Sequence, residues 1–163
     1  MFLPPSQLSP ESRIWVYQSD RELTSDEEKF IGEKTIAFLQ QWTAHNNELK
    51  ASYEIRYHRF LVIMVDESHN ATGGCSIDKC LHLIQQFEKA MNLSFLNRLL
   101  IAYKLDGKIQ TISKSKFEEQ LHNGVLNENT IVFNNLITSK GELDNAWEVP
   151  LEKSWHKVML ATK

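Results

Sequence analysis

Six consecutive apolar residues, Phe60-Leu61-Val62-Ile63-Met64-Val65, constrain this chain more than any other segment. Alternate residues of a strand point to opposite faces, so a strand that is apolar at every position must be covered on both. The run is far shorter than the ~20 residues needed to span a bilayer. It is therefore expected to be a central strand in a folded core. Asp66-Glu67 end it, and a polar loop through Gly73-Gly74 leads to Cys75-Ser76 and an amphipathic stretch. That order reads as buried strand, glycine-containing turn and helix N-terminus. Free N–H groups and the positive end of the helix dipole collect there, which suits an anion or a reactive cysteine.

The 163 residues are enough for one domain with a core, and 1–163 is read as a single globular domain. The formal net charge is -3, and the basic residues are spread among acidic ones. No basic stripe points to nucleic acid. Residues 1–12 hold three of the 4 prolines and read as an extended arm, whose Phe2 and Leu3 either dock or fray. That arm has neither a cationic nor an apolar segment of the secretory kind, and no membrane span is expected. The 2 cysteines, Cys75 and Cys80, make no disulfide framework, and the expected setting is a reducing cytoplasm.

Arg13–Gln18 is a strand by its β-branched and aromatic content. Thr24 or Ser25 caps a helix with an acidic first turn. Its buried face is Ile31, Phe38 and Trp42, and it ends near 44–47. Residues 51–57 alternate as a strand with one wet face, and His58-Arg59 turn into the apolar run. A second helix buries Ile77, Cys80, Leu81, Ile84, Phe87 and Met91. Asp106-Gly107 joins two strands, 99–105 and 108–112, in a tight hairpin. Ser115 to Glu118 matches a capping box for a short helix ending at Gly124. Residues 130–137 read as a strand, in which Asn134-Asn135 must mark a bulge or a polar site. Leu151, Trp155 and Val158 suggest a closing helix.

The expected class is α+β: a ferredoxin-like split β-α-β-β-α-β core, extended C-terminally by hairpin, strand and helices. The first and third strands are expected side by side and parallel. Asp20 and Arg21 would then meet Asp66, Gly74, Cys75 and Ser76 at one sheet edge as a ligand pocket. Arg21 and the helix amides would hold a small anion there; the plainer alternative is an internal salt bridge. The second sheet face would be covered by the C-terminal third or by a homodimer partner.

Cys75 is the one candidate nucleophile or redox thiol, because a helix N-terminus stabilises a thiolate. Against that, Cys75 is a small residue before Ser76, which caps the helix. The histidines form no metal-binding spacing, and no metal or cofactor is expected. Trp147 and Trp155 either present a partner surface or pack down the tail.

The words WVYQS, LKASYEIRYHRFLVI, GGCSIDK, NTIVFNNLIT, WEVP and SWH together resemble a family of short proteins from Bacteroidetes-type bacteria. That family often carries the label "ABC transporter ATPase". The resemblance covers nearly the whole chain and implies a bacterial cytoplasmic setting, with no mechanism and no site residues. The label itself fails a physical test. A P-loop needs Gly-x-x-x-x-Gly-Lys-Ser/Thr, so that backbone amides cradle phosphates while the lysine reaches the terminal ones. No such string occurs, and Gly107-Lys108 belongs to a hairpin. The expected function is a non-catalytic module that binds a small anionic ligand or a protein partner. The alternative is a small enzyme using Cys75.

Overall fold

The apolar run is the middle strand of its sheet, and its neighbours on both sides run against it. The computed structural model describes residues 1–161. They divide into two compact units, Met1–Leu96 with Thr138–Lys140, and Asn97–Ile137 with the chain from Gly141 onward. In chain order the first unit contains β1 (Arg13–Gln18), α1 (Ser25–Gln41), β2 (Thr43–Ala44), β3 (Asn47–Glu48), β4 (Lys50–Arg56), β5 (Phe60–Asp66) and α2 (Gly74–Met91). The sheet order is β1-β5-β4. β5 is antiparallel to β1, with Arg13 opposite Val65 and Gln18 opposite Phe60. It is also antiparallel to β4.

The expected parallel pairing of the first and third strands is therefore corrected. β4 and β5 form a hairpin and β1 joins on the far side of β5, so β1 and β4 are the parallel pair, with β5 between them. The helical connection serves strands one apart in the sheet rather than neighbours. The strand after α2 does not return to this sheet. It belongs to a separate one, and the outer edge of β1 carries only a short ladder. There Ser139 bridges Arg13, and the Ile14 amide donates to Thr138 O at 3.0 Å. The arm closes the other edge, because Phe2 bridges Ala51 and the Leu3 amide donates to Ala51 O at 2.9 Å.

All of Phe60 to Val65 is buried. Leu61, Ile63 and Val65 join one core with Ile31 and Leu39 of α1 and Cys80, Ile84 and Phe87 of α2. Phe60, Val62 and Met64 point the other way and are equally inaccessible within a single chain. No second subunit is needed to close that face. α1 starts with a capping box: Thr24 Oγ1 accepts from the Glu27 amide at 3.2 Å, and Glu27 Oε1 accepts from the Thr24 amide at 3.0 Å. It ends at Gln41, earlier than its apolar spacing suggests, because the chain turns at Trp42 into the β2–β3 hairpin.

Gly32 lets α1 lie close on β4. A Cβ at Gly32 would stand 2.7 Å from Tyr53 Oη and 3.6 Å from Tyr53 Cζ. Alanine favours a helix over glycine by about 1 kcal/mol, but here it would push the Tyr53 ring off the helix, at about 1–3 kcal/mol. Gly32→Ala is expected to destabilise the wild type. In a Tyr53→Phe background the nearest atom becomes Cζ, at ordinary contact distance, and the cost should vanish or reverse. Denaturant midpoints of the four proteins in the cycle test this. Equal costs in both backgrounds would mean that the hydroxyl is not the obstacle.

The second unit contains β6 (Leu100–Leu105), β7 (Lys108–Ser113), α3 (Lys114–His122), β8 (Ile131–Phe133), β9 (Glu148–Pro150) and all but the first residue of α4 (Lys140–Asn145). The sheet order β7-β6-β8-β9 is antiparallel throughout. The β6–β7 turn is as expected, with Asp106 and Gly107 at φ 51° and 74°. α3 is capped by Ser113, which accepts from the Lys116 amide at 3.3 Å, rather than by Ser115. β8 stops at Phe133. Asn134 then turns the chain, accepting from the Leu136 amide at 3.2 Å, and Asn135 Oδ1 accepts from the buried Trp147 indole at 2.9 Å. The expected closing helix is two 3₁₀ turns, Leu151–Lys153 and Trp155–Leu160.

Candidate functional site

The antiparallel register separates the residues expected to form one pocket. Asp20 and Arg21 follow the Gln18 end of β1, which lies opposite Phe60. Asp66 lies at the other end of β5, opposite Lys50. α2 measures the separation independently. Arg21 Nη2 donates to Met91 O at 2.9 Å, and Asp20 Oδ1 accepts from the Ser94 amide at 3.0 Å, both at the C-terminal end of α2. Gly74, Cys75 and Ser76 form its first turn. An 18-residue helix is about 27 Å long. The expected convergence of Asp20 and Arg21 with Asp66, Gly74, Cys75 and Ser76 does not occur.

Arg21 is committed internally. Its two terminal nitrogens grip Glu27 at 2.8 and 2.7 Å. Arg21, with help from the Thr24 backbone, holds the Glu27 carboxyl down at about 2. This is a fork-to-fork ion pair on a carboxylate already used in the capping box. Asp66 is held below the usual carboxylate range by the Ser68 side chain and amide, with the latter donating at 2.9 Å. Burial pushes Glu67 up, but the Thr72 amide at 2.9 Å and Arg13 at 3.4 Å outweigh it and leave its carboxyl low. These acids organise the β5–α2 loop.

The end of α2 that remains open is built from a different set of side chains. Its N-cap is Gly73, in extended backbone and with no side-chain cap, and its first turn carries no acid. Ser76 is not the cap. It sits inside the first turn, and its hydroxyl donates to Thr43 O at 2.7 Å. The Trp42 indole donates back to Ser76 O at 2.9 Å. These two bonds pin α2 to the chain leaving α1. The β2–β3 turn, His45-Asn46, comes to the same place. A Cβ at Gly73 would stand 3.6 Å from His45 Nε2, and Asn47 Nδ2 donates to Asn70 Oδ1 at 3.5 Å. Cys75 is exposed on this turn, and Cys80 is buried. Burial pushes the Cys80 thiol up to about 11, beside the Tyr17 hydroxyl at 3.9 Å.

Sequence reasoning missed His45 and its hairpin. The available signal was Ala44-His45-Asn46-Asn47, because Asn and His tolerate positive φ, and His45 and Asn46 sit at φ 51° and 65°. Trp147 is fully buried, whereas Trp155 is half-buried and stacked on His156. Among the described residues no three His, Cys, Asp or Glu side chains gather to hold a metal ion. No described helix is long and apolar enough to cross a membrane. Comparison with protein-family models, with curated proteins and with solved structures returned no match.

Proposed function

We propose that this chain is a non-catalytic binding module whose ligand-facing end is the N-terminus of α2, and that the ligand is a small anion or an acidic group on a protein. The observation that carries the reading is the contrast between the two long helices. α1 satisfies its first amides with Thr24 and surrounds them with Asp26, Glu27 and Glu28. α2 leaves its exposed first turn without side-chain cap or acid, beside the His45 ring. Uncapped amides at the positive end of an 18-residue helix favour an anion. We further read β1 through α2 as a ferredoxin-like core that lacks its last strand, working in a bacterial cytoplasm as the family resemblance implies. Modules of that kind commonly bind rather than catalyse, and that part of the reading is analogy.

The enzyme reading rests on the exposure of Cys75 at the same turn. Two measurements separate them. Amide shifts of Gly74 and Cys75 should move saturably with inorganic phosphate, and should do so equally in Cys75→Ser, whereas the Ser76 amide already donates to Gly73 O at 3.1 Å. Iodoacetamide should label Cys75 no faster than free cysteine at each pH. No phosphate response at these amides would sink the binding reading. Labelling at least tenfold faster than free cysteine, abolished in His45→Ala, would favour the enzyme.

A further inference from the structure

The second unit closes on a buried imidazole. His156 is 2 % exposed and Ser154 is 3 % exposed. Their Nδ1 and Oγ atoms are 2.7 Å apart. The ring is stacked on Trp155 at 4.0 Å and lies 6.2 Å from the ring of Phe117. Leu151 and Met159 flank it in sequence and belong to one core with Ile101, Tyr103, Phe117, Leu126 and Val132. Leu151–Leu160 is therefore held by apolar contacts around one satisfied but ionisable group.

We infer that Leu151–Leu160 is an acid-released clasp: protonation of His156 detaches this segment from the α3 face of the second unit while the first unit stays folded. A charged imidazole is tolerated in a core only beside an anion or water. Among the described residues no carboxylate is hydrogen-bonded to this one, whose side-chain partner is Ser154. On α3, which packs against the segment, Lys114, Lys116, Glu119 and His122 are exposed, and Glu118 is half-buried and paired with Lys114 at 3.1 Å. Within the segment Glu152, Lys153 and Lys157 point to solvent. Tyr103 in the same core is kept neutral by burial. None of these groups offers a counter-charge. Ser154 Oγ can accept from the protonated Nδ1, but it supplies no negative charge to offset the buried cation.

Burial alone pushes His156 down to about 4. The neutral form is the folded form, so the detached state binds more protons between pH 6.5 and 4. Attachment is complete above the upper limit and is lost as pH falls through that window. Between pH 7 and 4.5 the detached population should rise on the order of fiftyfold.

Hydrogen exchange of the full chain, corrected for intrinsic rates, reads this directly. Protection of the amides in Leu151–Leu160 should fall by that factor in the wild type, with β5 still protected. It should change little in His156→Phe and His156→Gln. An equal fall in either variant overturns the proposal, and so does simultaneous loss in β5, which is global unfolding. Should neither variant fold, the His156 ring signals of the wild type decide. Titration near 6.5 with the segment still protected overturns the clasp, and titration delayed until the segment opens supports it.

Discussion

Trp42→Ala is expected to lower the stability of the first unit by about 4 kcal/mol, the typical cost of emptying a buried tryptophan site. Trp42 is 2 % exposed and fills the junction between the end of α1 and the start of α2. Its ring lies 5.2 Å from that of Phe38 and 6.3 Å from that of Trp15. Its indole N–H also supplies one of the two bonds that fasten Ser76. Trp42→Phe should be intermediate. It refills most of the volume and loses only the hydrogen bond, about 1 kcal/mol. The same pair of variants should shift the Gly74 and Cys75 amide signals, because the tryptophan positions that turn. Guanidinium midpoints and two-dimensional amide spectra measure both effects. A loss below about 1 kcal/mol for alanine would mean that α2 is anchored elsewhere.

Val62→Asp should be comparably severe, at about 4 kcal/mol or more at neutral pH, because it places an unpaired charge where no water reaches. Val62 is at 0 % exposure, on the face of β5 turned away from the core shared by α1 and α2. Val125→Asp, at a site 55 % exposed, should change stability by less than about 0.5 kcal/mol. The comparison asks who covers the second sheet face. If Val62→Asp folds as a monomer with little loss, the face is open. If the wild type is a dimer that the variant dissociates, a second copy provides the cover. Unfolding of a monomeric wild type upon substitution is the expected result.

The same strand marks the boundary of what the sequence states. Six apolar residues specify burial on both faces, and β5 is buried on both. They do not specify the direction of a neighbour. Connectivity specifies it instead: the hairpin sets β5 against β4, and a helical crossover that leaves β1 parallel to β4 must set β1 against β5 as well. An error of direction there was enough to bring Asp20 and Arg21 to the wrong end of α2. Local chemistry was more legible. Asp106-Gly107 places its turn correctly, and the α1 cap, left between Thr24 and Ser25, falls on Thr24, because the interacting groups lie within four residues. The caps of α2 and α3 are not the expected serines. Ser76 spends its hydroxyl on Thr43 and leaves capping to Gly73, and Ser113 displaces Ser115. At the C-terminus the spacing of Leu151, Trp155 and Val158 misled, since the buried positions are Leu151, Ser154, His156 and Met159. A polar pair in the core is invisible to an apolar count.

The short ladder on β1 has a consequence for synthesis. Lys140 completes it, with its amide donating to Ser12 O at 2.8 Å and its ammonium to Leu8 O at 3.0 Å. Every other partner of the first unit's sheet is encoded before residue 97. A nascent chain can therefore assemble β1, β4 and β5 long before the ribosome delivers the residues that guard the β1 edge. During that interval a row of backbone donors and acceptors is open to any neighbouring strand, the usual seed of edge-to-edge aggregation. The second unit's first 41 residues, Asn97–Ile137, act as a delay line between the sheet and its own edge guard.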